Sequence, residues 1–172
     1  MSQDIILGRL NPEQKKAVEC TEGPLLVFAG AGSGKTRVIT NRIAYLINNK
    51  GVSPENILAV TFTKKAAGEM QDRVKEILSE IGANPNEMPS IGTFHSIGAL
   101  LLRKNAKEVG LSNNFSIYDS DDSENLIKEL MIERDIDIKQ IKPKAVMYYI
   151  SSAKNEMIDP DQFLNHYGGY IE

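Results

Sequence analysis

The sequence predicts an α/β fold in which parallel strands alternate with helices, followed by a mostly helical segment. Two short apolar runs, at residues 25–28 and 57–62, are each followed by a longer stretch with apolar residues at helical spacing. After Gly110 helical periodicity dominates. Alternating strands and helices of these lengths favour a parallel sheet flanked by helices on both faces. Because ligands of such sheets bind at the carboxyl ends of the strands, function is expected there.

Composition limits the possible functions without selecting one. With 20 basic and 23 acidic residues among 172, the net charge of −3 gives no overall attraction to nucleic acid, so any such binding requires a local patch. Cys20 is the single cysteine, which excludes an internal disulfide and fits a reducing compartment; we expect it to pack near the end of the first helix. The sequence has no membrane-length apolar run and no signal peptide at Met1–Asp4, so we expect a cytoplasmic protein without a membrane partner.

The first elements are predicted from their boundary residues. Asn11 is suited to cap a helix, with Pro12 at its first position and Gln14 where a capping box places it. Leu25–Phe28 is predicted to be a short buried strand, and Arg37–Ile47 an amphipathic helix.

The next four elements continue the alternation. Ile57–Phe62 is a nearly continuous apolar run, typical of a strand buried on both faces. Helices are predicted at Lys65–Ile81 and His95–Lys107, with a short strand at Ser90–Gly92 between them. The polar ends of the two strands therefore become candidate ligand sites.

Residues 113–172 are predicted to form a helical insertion or a second subdomain, after a main domain at 1–112. Acidic residues crowd Asp119–Asp137, whereas Lys139–Asn155 has four lysines and no carboxylate. The two apolar stripes of this segment are Leu126, Ile127, Leu130 and Met131, then Val146, Tyr149, Ile150 and Ala153.

A glycine-rich turn lies between the first predicted strand and its helix. Its residues are Ala29, Gly30, Ala31, Gly32, Ser33, Gly34, Lys35 and Thr36. This is the sequence form of a phosphate-binding P-loop, although Ala29 replaces the usual first glycine. Backbone amides of such a loop and of the following helix N-terminus bind phosphate, Lys35 can reach the terminal phosphates, and the Thr36 hydroxyl can ligate Mg²⁺.

Four segments in series resemble the N-terminal motifs of the UvrD/Rep/PcrA family of superfamily I DNA helicases. They are Leu10–Gln14, the Ala29–Thr36 loop followed by Arg37, Thr61–Ala67 and Gly92–Ser96. Phe115–Asp119 and Ile150–Glu156 are similar to that family's helical insertion. The resemblance implies a P-loop NTPase of RecA-like fold, with a parallel sheet flanked by helices and a mostly helical insertion subdomain.

The resemblance implies an ATP site. Residues 29–36 would bind ATP, with Lys35 and Thr36 in catalytic roles and Thr36 holding Mg²⁺. Gln14 matches a residue that hydrogen-bonds the adenine edge, with helix capping as its structural alternative. Arg37 matches a residue that packs against adenine; the alternative is a solvated helix arginine.

The resemblance also implies a path for single-stranded DNA. The matching positions are Thr61, Phe62, Thr63, Lys64, Thr93, Phe94, His95 and Ser96. Hydroxyls can hold phosphates and aromatic faces accept any base, whereas the alternatives are core packing for the phenylalanines and a helix-start role for His95. Lys64 stands where the family commonly has asparagine, which favours a phosphate contact. The basic stretch with Tyr148, Tyr149 and Lys154 either faces duplex DNA at a junction or is a solvated helix face.

Hydrolysis requires groups that this sequence does not supply. No apolar strand ends in the paired carboxylates that hold Mg²⁺ and position water. With this absence, the resemblance implies the N-terminal piece of an ATP-dependent DNA helicase of 3′–5′ polarity that needs a second motor domain. The sequence lacks the base-reading aspartate of a GTPase, and the region after Gly110 does not resemble the arginine-bearing lid of a kinase. The alternatives that stay open are a nucleotide- or single-stranded-DNA-binding module without enzymatic activity, and a P-loop kinase.

Overall fold

The computed structural model describes residues 2–167 and shows a mixed α/β protein with a small parallel sheet and many helices. The chain divides into two compact units, Met1–Asn113 and Asn114–Glu172. The first unit contains, in order, α1 Ser2–Leu7, α2 Pro12–Glu19, α3 Lys35–Lys50, β1 Leu58–Thr61, α4 Lys64–Glu80, β2 Ser90–Thr93 and α5 Phe94–Lys104, with 3₁₀ turns at Pro54–Asn56 and Ala106–Val109. The second contains α6 Ser120–Glu133, α7 Pro143–Asn155 and α8 Pro160–Tyr167. None of the helices within residues 2–167 has the length and apolar character needed to cross a bilayer.

Strands β1 and β2 are parallel neighbours, as the sequence predicts, and their register aligns their ends. Leu58 is opposite Ser90 at one end, and Thr61 is opposite Thr93 at the other. The residues that follow each strand therefore leave the sheet side by side. Packing explains why residue 92 is a glycine: a Cβ there would lie 2.5 Å from the Ser96 Oγ and 3.3 Å from the Ile97 side chain. Only glycine lets α5 turn back this closely against β2.

Helix α4 supports the sheet from one side. Its buried residues Ala67, Met70, Val74 and Leu78 recur at intervals of three and four, so they lie on one face. Met70, Val74 and Leu78 pack with Ile43 of α3 and with strand residues in one hydrophobic cluster. The Gln71 Nε2 also donates to the Ile91 carbonyl of β2, at 2.8 Å. These contacts fix the position of α4 against both the sheet and α3.

Helix α2 begins as predicted, with a complete capping box. The Asn11 side chain accepts from the Gln14 amide at 2.8 Å, and the Asn11 amide donates to the Gln14 Oε1 at 3.1 Å. Arg42 then ties α3 to α2, because its guanidinium donates to the Ala17 carbonyl at 2.6 Å. A second hydrophobic cluster beside these helices holds Ile6, Leu7, Leu10, Val18, Ala44 and Tyr45.

Three predictions about burial are wrong. Leu25–Phe28 forms no strand and is exposed, with Phe28 at 90%; an apolar run becomes a strand only beside a hydrogen-bonded neighbour, and β1 and β2 pair with each other. Strand β1 is not buried on both faces, because Leu58 is 56% exposed while Ala59 is buried. Cys20 is exposed, since it lies at the C-cap just beyond the buried part of α2.

The second unit is built mainly from the packing of α6 on α7. Asp119 caps α6 through a capping box with Asp122. The predicted stripes exist as helical faces, but in the part of this unit that the structure describes only Met131 is a buried hydrophobic residue. Lys144 forms a surface ion pair with Glu124 at 3.6 Å, which joins the basic helix to the acidic one.

Candidate nucleotide and nucleic-acid sites

The glycine-rich loop has the backbone of an anion-binding turn. Gly32 and Gly34 adopt positive φ angles of 73° and 84°. Alternation of left-handed with ordinary residues makes backbone concavities in which successive N–H groups face an anion. Gly34 also precedes α3 without any side-chain cap, so the first turn of that helix keeps its amides for a ligand.

The Lys35 side chain folds over this loop. Its Nζ donates to the Gly30 carbonyl at 2.7 Å and to the Ala29 carbonyl at 3.3 Å. The Ser33 hydroxyl donates to the same Gly30 oxygen at 2.8 Å. The ammonium group therefore lies at the loop whose amides are expected to hold phosphate. Neutral carbonyl acceptors hold an ammonium less strongly than an anion does.

Gln14 connects α2 to the loop as well as capping its own helix. Its Nε2 donates to the Ser33 carbonyl at 2.9 Å, while its Oε1 serves the capping box. The same Nε2 would lie 2.9 Å from a Cβ placed on Gly34. The position of Gln14 is therefore compatible with both predicted roles, adenine recognition and helix capping, because its side chain completes the capping box and also contacts the loop.

These residues line one open cavity of about 370 Å³. Its described lining residues are Gln14, Gly32, Ser33, Gly34, Lys35, Thr36, Arg37 and Arg73. The volume is within the range of small-ligand pockets. The structure thus brings the predicted adenine residues Gln14 and Arg37 to the same cavity as Lys35 and Thr36. Arg73 of α4 is an addition that the sequence analysis missed, because helical periodicity alone does not say which neighbour an exposed arginine reaches.

A second candidate site lies where β1 and β2 end. We call Phe62 and Phe94 the aromatic edge. Their ring centroids are 5.6 Å apart at an interplanar angle of 47°. The rings are 89% and 55% exposed, so the alternative that they pack in the core is wrong. The pair follows directly from the register, because each phenylalanine comes one residue after the paired threonines Thr61 and Thr93.

The sequence matches a known protein family over most of its length. A sequence profile described as the UvrD/REP helicase N-terminal domain matches residues 10–170. The chain belongs to this family. The match covers the loop, the aromatic edge and most of the second unit.

Several curated relatives carry the name ATP-dependent DNA helicase PcrA. The Bacillus subtilis protein is 48% identical over 167 residues, which is 97% of this chain and 22% of the relative. The Staphylococcus aureus (strain Mu50) protein is 46% identical over 155 residues, 90% of this chain and 21% of the relative. The Staphylococcus epidermidis protein is 46% identical over 156 residues, 91% of this chain and 21% of the relative. The chain thus spans about a fifth of the length of these helicases.

In this member of the UvrD/REP family, the predicted DNA-contacting hydroxyls also serve the fold. Thr63 caps α4 by accepting from the Ala66 amide at 3.1 Å. Thr93 caps α5 and is buried, and the Ser96 hydroxyl accepts from the Thr93 amide at 2.9 Å. Capping orients both helix starts at the aromatic edge. Among the predicted DNA-contacting residues, Thr61 is half-buried and Thr93 is buried. The exposed ones are Phe62, Thr63, Lys64, Phe94, His95 and Ser96.

Thr36 is the one predicted ligand of Mg²⁺, and it lies in the described part of the chain. Thr36 is half-buried in the first turn of α3, where its hydroxyl adjoins the loop. Within residues 2–167 no group of three or more His, Cys, Asp or Glu side chains could hold a metal ion. A hydroxyl beside a phosphate site fits Mg²⁺, which takes few protein ligands and is shared with substrate phosphates.

The second unit contains a larger cavity of about 730 Å³ with a different character. Its walls are mostly aliphatic and aromatic side chains of α7 and α8, including Ile150, Phe163 and Leu164. Lys154 and Asp159 are its charged residues in the described chain. Such a lining does not suit a triphosphate, so the smaller polar cavity at the loop remains the nucleotide candidate.

Proposed function

We propose that this chain is the N-terminal, ATP-binding part of an ATP-dependent 3′–5′ DNA helicase. In the whole protein, ATP hydrolysis would drive translocation on single-stranded DNA and unwinding at single-strand to duplex junctions. The observation that supports it most is the joint presence of Lys35, Gln14 and Arg37 at one cavity formed by a positive-φ glycine loop. The names of the relatives supply the activity that such a cavity would serve.

The nucleotide would lie with its phosphates on the loop. Residues 29–36 offer backbone amides, Lys35 offers an ammonium group, and Thr36 offers a hydroxyl for Mg²⁺. Gln14 and Arg37 line the same open cavity, and their planar amide and guanidinium groups suit an adenine ring. Within residues 2–167 no carboxylate cluster accompanies the loop, so we expect the chain alone to bind ATP without hydrolysing it.

Single-stranded DNA would cross the aromatic edge. Two exposed rings with tilted planes offer faces on which bases of any sequence can stack. Lys64 follows Phe62 by two residues and is exposed, so it would meet a phosphate, and His95 is exposed at the start of α5. This arrangement binds without reading sequence, which a motor that moves along DNA requires.

The larger architecture belongs to the same proposal. Residues 1–112 would be part of a RecA-like motor domain of P-loop type, with helices on both faces of its sheet, and residues 113–172 a helical insertion. A second motor domain would complete the ATP site. The lysines of α7 would be either a junction contact or a solvated face. Because the named relatives are bacterial, we propose that the protein acts in the cytoplasm.

The nucleotide part is tested by titrating labelled ATP with Mg²⁺, with and without a single-stranded oligonucleotide. Lys35→Ala is expected to weaken ATP binding by about 1.5 to 3 kcal/mol, the usual worth of a charged hydrogen bond. Lys50→Ala removes the same charge from the other end of α3 and serves as the matched control. Equal ATP affinity of the parent chain and Lys35→Ala would contradict the assignment of the loop.

A further inference from the structure

Among the described lining residues of the loop cavity, Arg73 is the one that comes from α4. Gln14 belongs to α2, and the other lining residues form the loop and the first turn of α3. Arg73 lies in the middle of α4, between the buried residues Met70 and Val74. Because those neighbours anchor the helix in the core, the Arg73 backbone is held in place against α3.

Charge in this cavity favours an anionic ligand. Lys35, Arg37 and Arg73 place three cationic side chains around about 370 Å³, and none of the described lining residues carries a carboxylate. Like charges around one cavity repel each other, which raises the free energy of the protein without ligand. A polyanion relieves this repulsion, so Arg73 fits a nucleotide better than it fits an empty surface.

The lining residues offer two kinds of chemistry. The glycine loop and Lys35 provide amides and an ammonium group, which serve phosphates. Gln14, Arg37 and Arg73 instead provide planar amide and guanidinium groups. A guanidinium stacks on aromatic faces, whereas an ammonium is a compact point charge.

We propose that Arg73 contacts the nucleoside end of the bound nucleotide, with its guanidinium against the base. The inference rests on the proposed nucleotide site and adds a residue from α4 to it. Since α4 begins directly after Phe62 and Thr63, Arg73 makes the helix that starts at the aromatic edge also a wall of the nucleotide cavity.

The test compares ATP with inorganic tripolyphosphate, which lacks the nucleoside. Both are titrated calorimetrically with Mg²⁺ into the full chain and into Arg73→Ala, Arg73→Lys and Lys75→Ala. Lys75 is an exposed cation two residues further along α4 that does not line the cavity, so its loss controls for net charge. Circular dichroism checks that each variant is folded; the exposed side chain of Arg73 makes this the expected result.

We expect Arg73→Ala to weaken ATP binding by about three- to thirtyfold relative to Lys75→Ala. Arg73→Lys should lose most of the same ATP affinity, because lysine keeps the positive charge but lacks the planar guanidinium that stacks on a base. Tripolyphosphate affinity should fall no further in Arg73→Ala than in Lys75→Ala.

Three results overturn the proposal: unchanged ATP affinity in Arg73→Ala, full rescue by lysine, or a parallel loss of tripolyphosphate affinity, which indicates a phosphate contact. Failure of the proposed function is separate, because then the parent chain binds no ATP or binds it independently of Lys35. An absence of ATP binding by the parent also removes the ligand that Arg73 is proposed to contact.

Discussion

The phosphate loop and the aromatic edge are assembled in different ways. The loop depends on local sequence: positive φ angles at Gly32 and Gly34 and hydrogen bonds from Ser33 and Lys35 to the Gly30 carbonyl all fall within a few residues. The aromatic edge depends on the register of β1 and β2, which brings Phe62 beside Phe94. A local motif can therefore be recognised from consecutive residues. For Phe62 and Phe94 the sequence predicts two strand ends, and only the strand register shows that their rings lie side by side.

Both sites nevertheless share α4 and the hydrophobic cluster beneath it. Leu78→Ala, at a side chain only 1% exposed, should lower the free energy of unfolding by about 2 to 5 kcal/mol, because it leaves a cavity in that cluster. Urea denaturation measures the loss. We expect ATP and single-stranded DNA binding to weaken together as the folded fraction falls. Loss of one ligand alone in this variant would show that the sites do not share this support.

Gly34→Ala should weaken ATP binding at the phosphate loop and leave DNA binding at the aromatic edge unchanged. The positive φ of 84° costs a non-glycine residue about 1 to 2 kcal/mol, and the added Cβ meets the Gln14 Nε2 at 2.9 Å. ATP affinity should fall by at least tenfold, a change of about 1.4 kcal/mol, with DNA affinity unchanged. Gly68→Ala is the control, since a Cβ there meets nothing within 4 Å and alanine favours the helix. An ATP affinity equal to that of the parent would mean that phosphate does not use this backbone.

Phe62→Ala should have the opposite effect, because it removes a DNA contact at the aromatic edge and leaves ATP binding at the loop unchanged. Single-stranded DNA binding should weaken by about 1 to 3 kcal/mol, the worth of one stacked base. Stability should change little, because the ring is 89% exposed. Fluorescence anisotropy of a labelled oligonucleotide measures the change, with Tyr118→Ala in the second unit as an exposed aromatic control. Equal DNA affinity in the parent and Phe62→Ala removes this ring from the path.

Lys64→Gln should have the smallest effect and separates phosphate contact from stacking at the same edge. If Lys64 holds one phosphate, the slope of log affinity against log salt should decrease in magnitude by about 0.7. Phe62→Ala should leave that slope unchanged. Lys16→Gln, which removes an exposed charge from α2, is the control. A slope equal to that of the parent would show that Lys64 does not contact the backbone of DNA.

Features that depend on local sequence could be predicted, whereas features that depend on which segments pack together could not. The capping box of α2, the loop and the helices α3 and α4 are local patterns, and the structure contains all of them. Exposure of Leu25–Phe28 and the one-sided burial of β1 depend on which neighbours each segment has, and apolar composition does not encode that. Arg73 was missed for the same reason, since its role in the cavity depends on how α4 packs against α3.

The central claim is that the glycine loop holds the phosphates of ATP. A crystal structure of the chain with Mg²⁺ and a non-hydrolysable ATP analogue tests it most directly. The account predicts phosphate oxygens at the amides of residues 30–36, with the Lys35 Nζ moved from the Gly30 carbonyl to the terminal phosphates. An analogue bound elsewhere, with Lys35 still on Gly30 and the Gln14 amide still on Ser33, would contradict it.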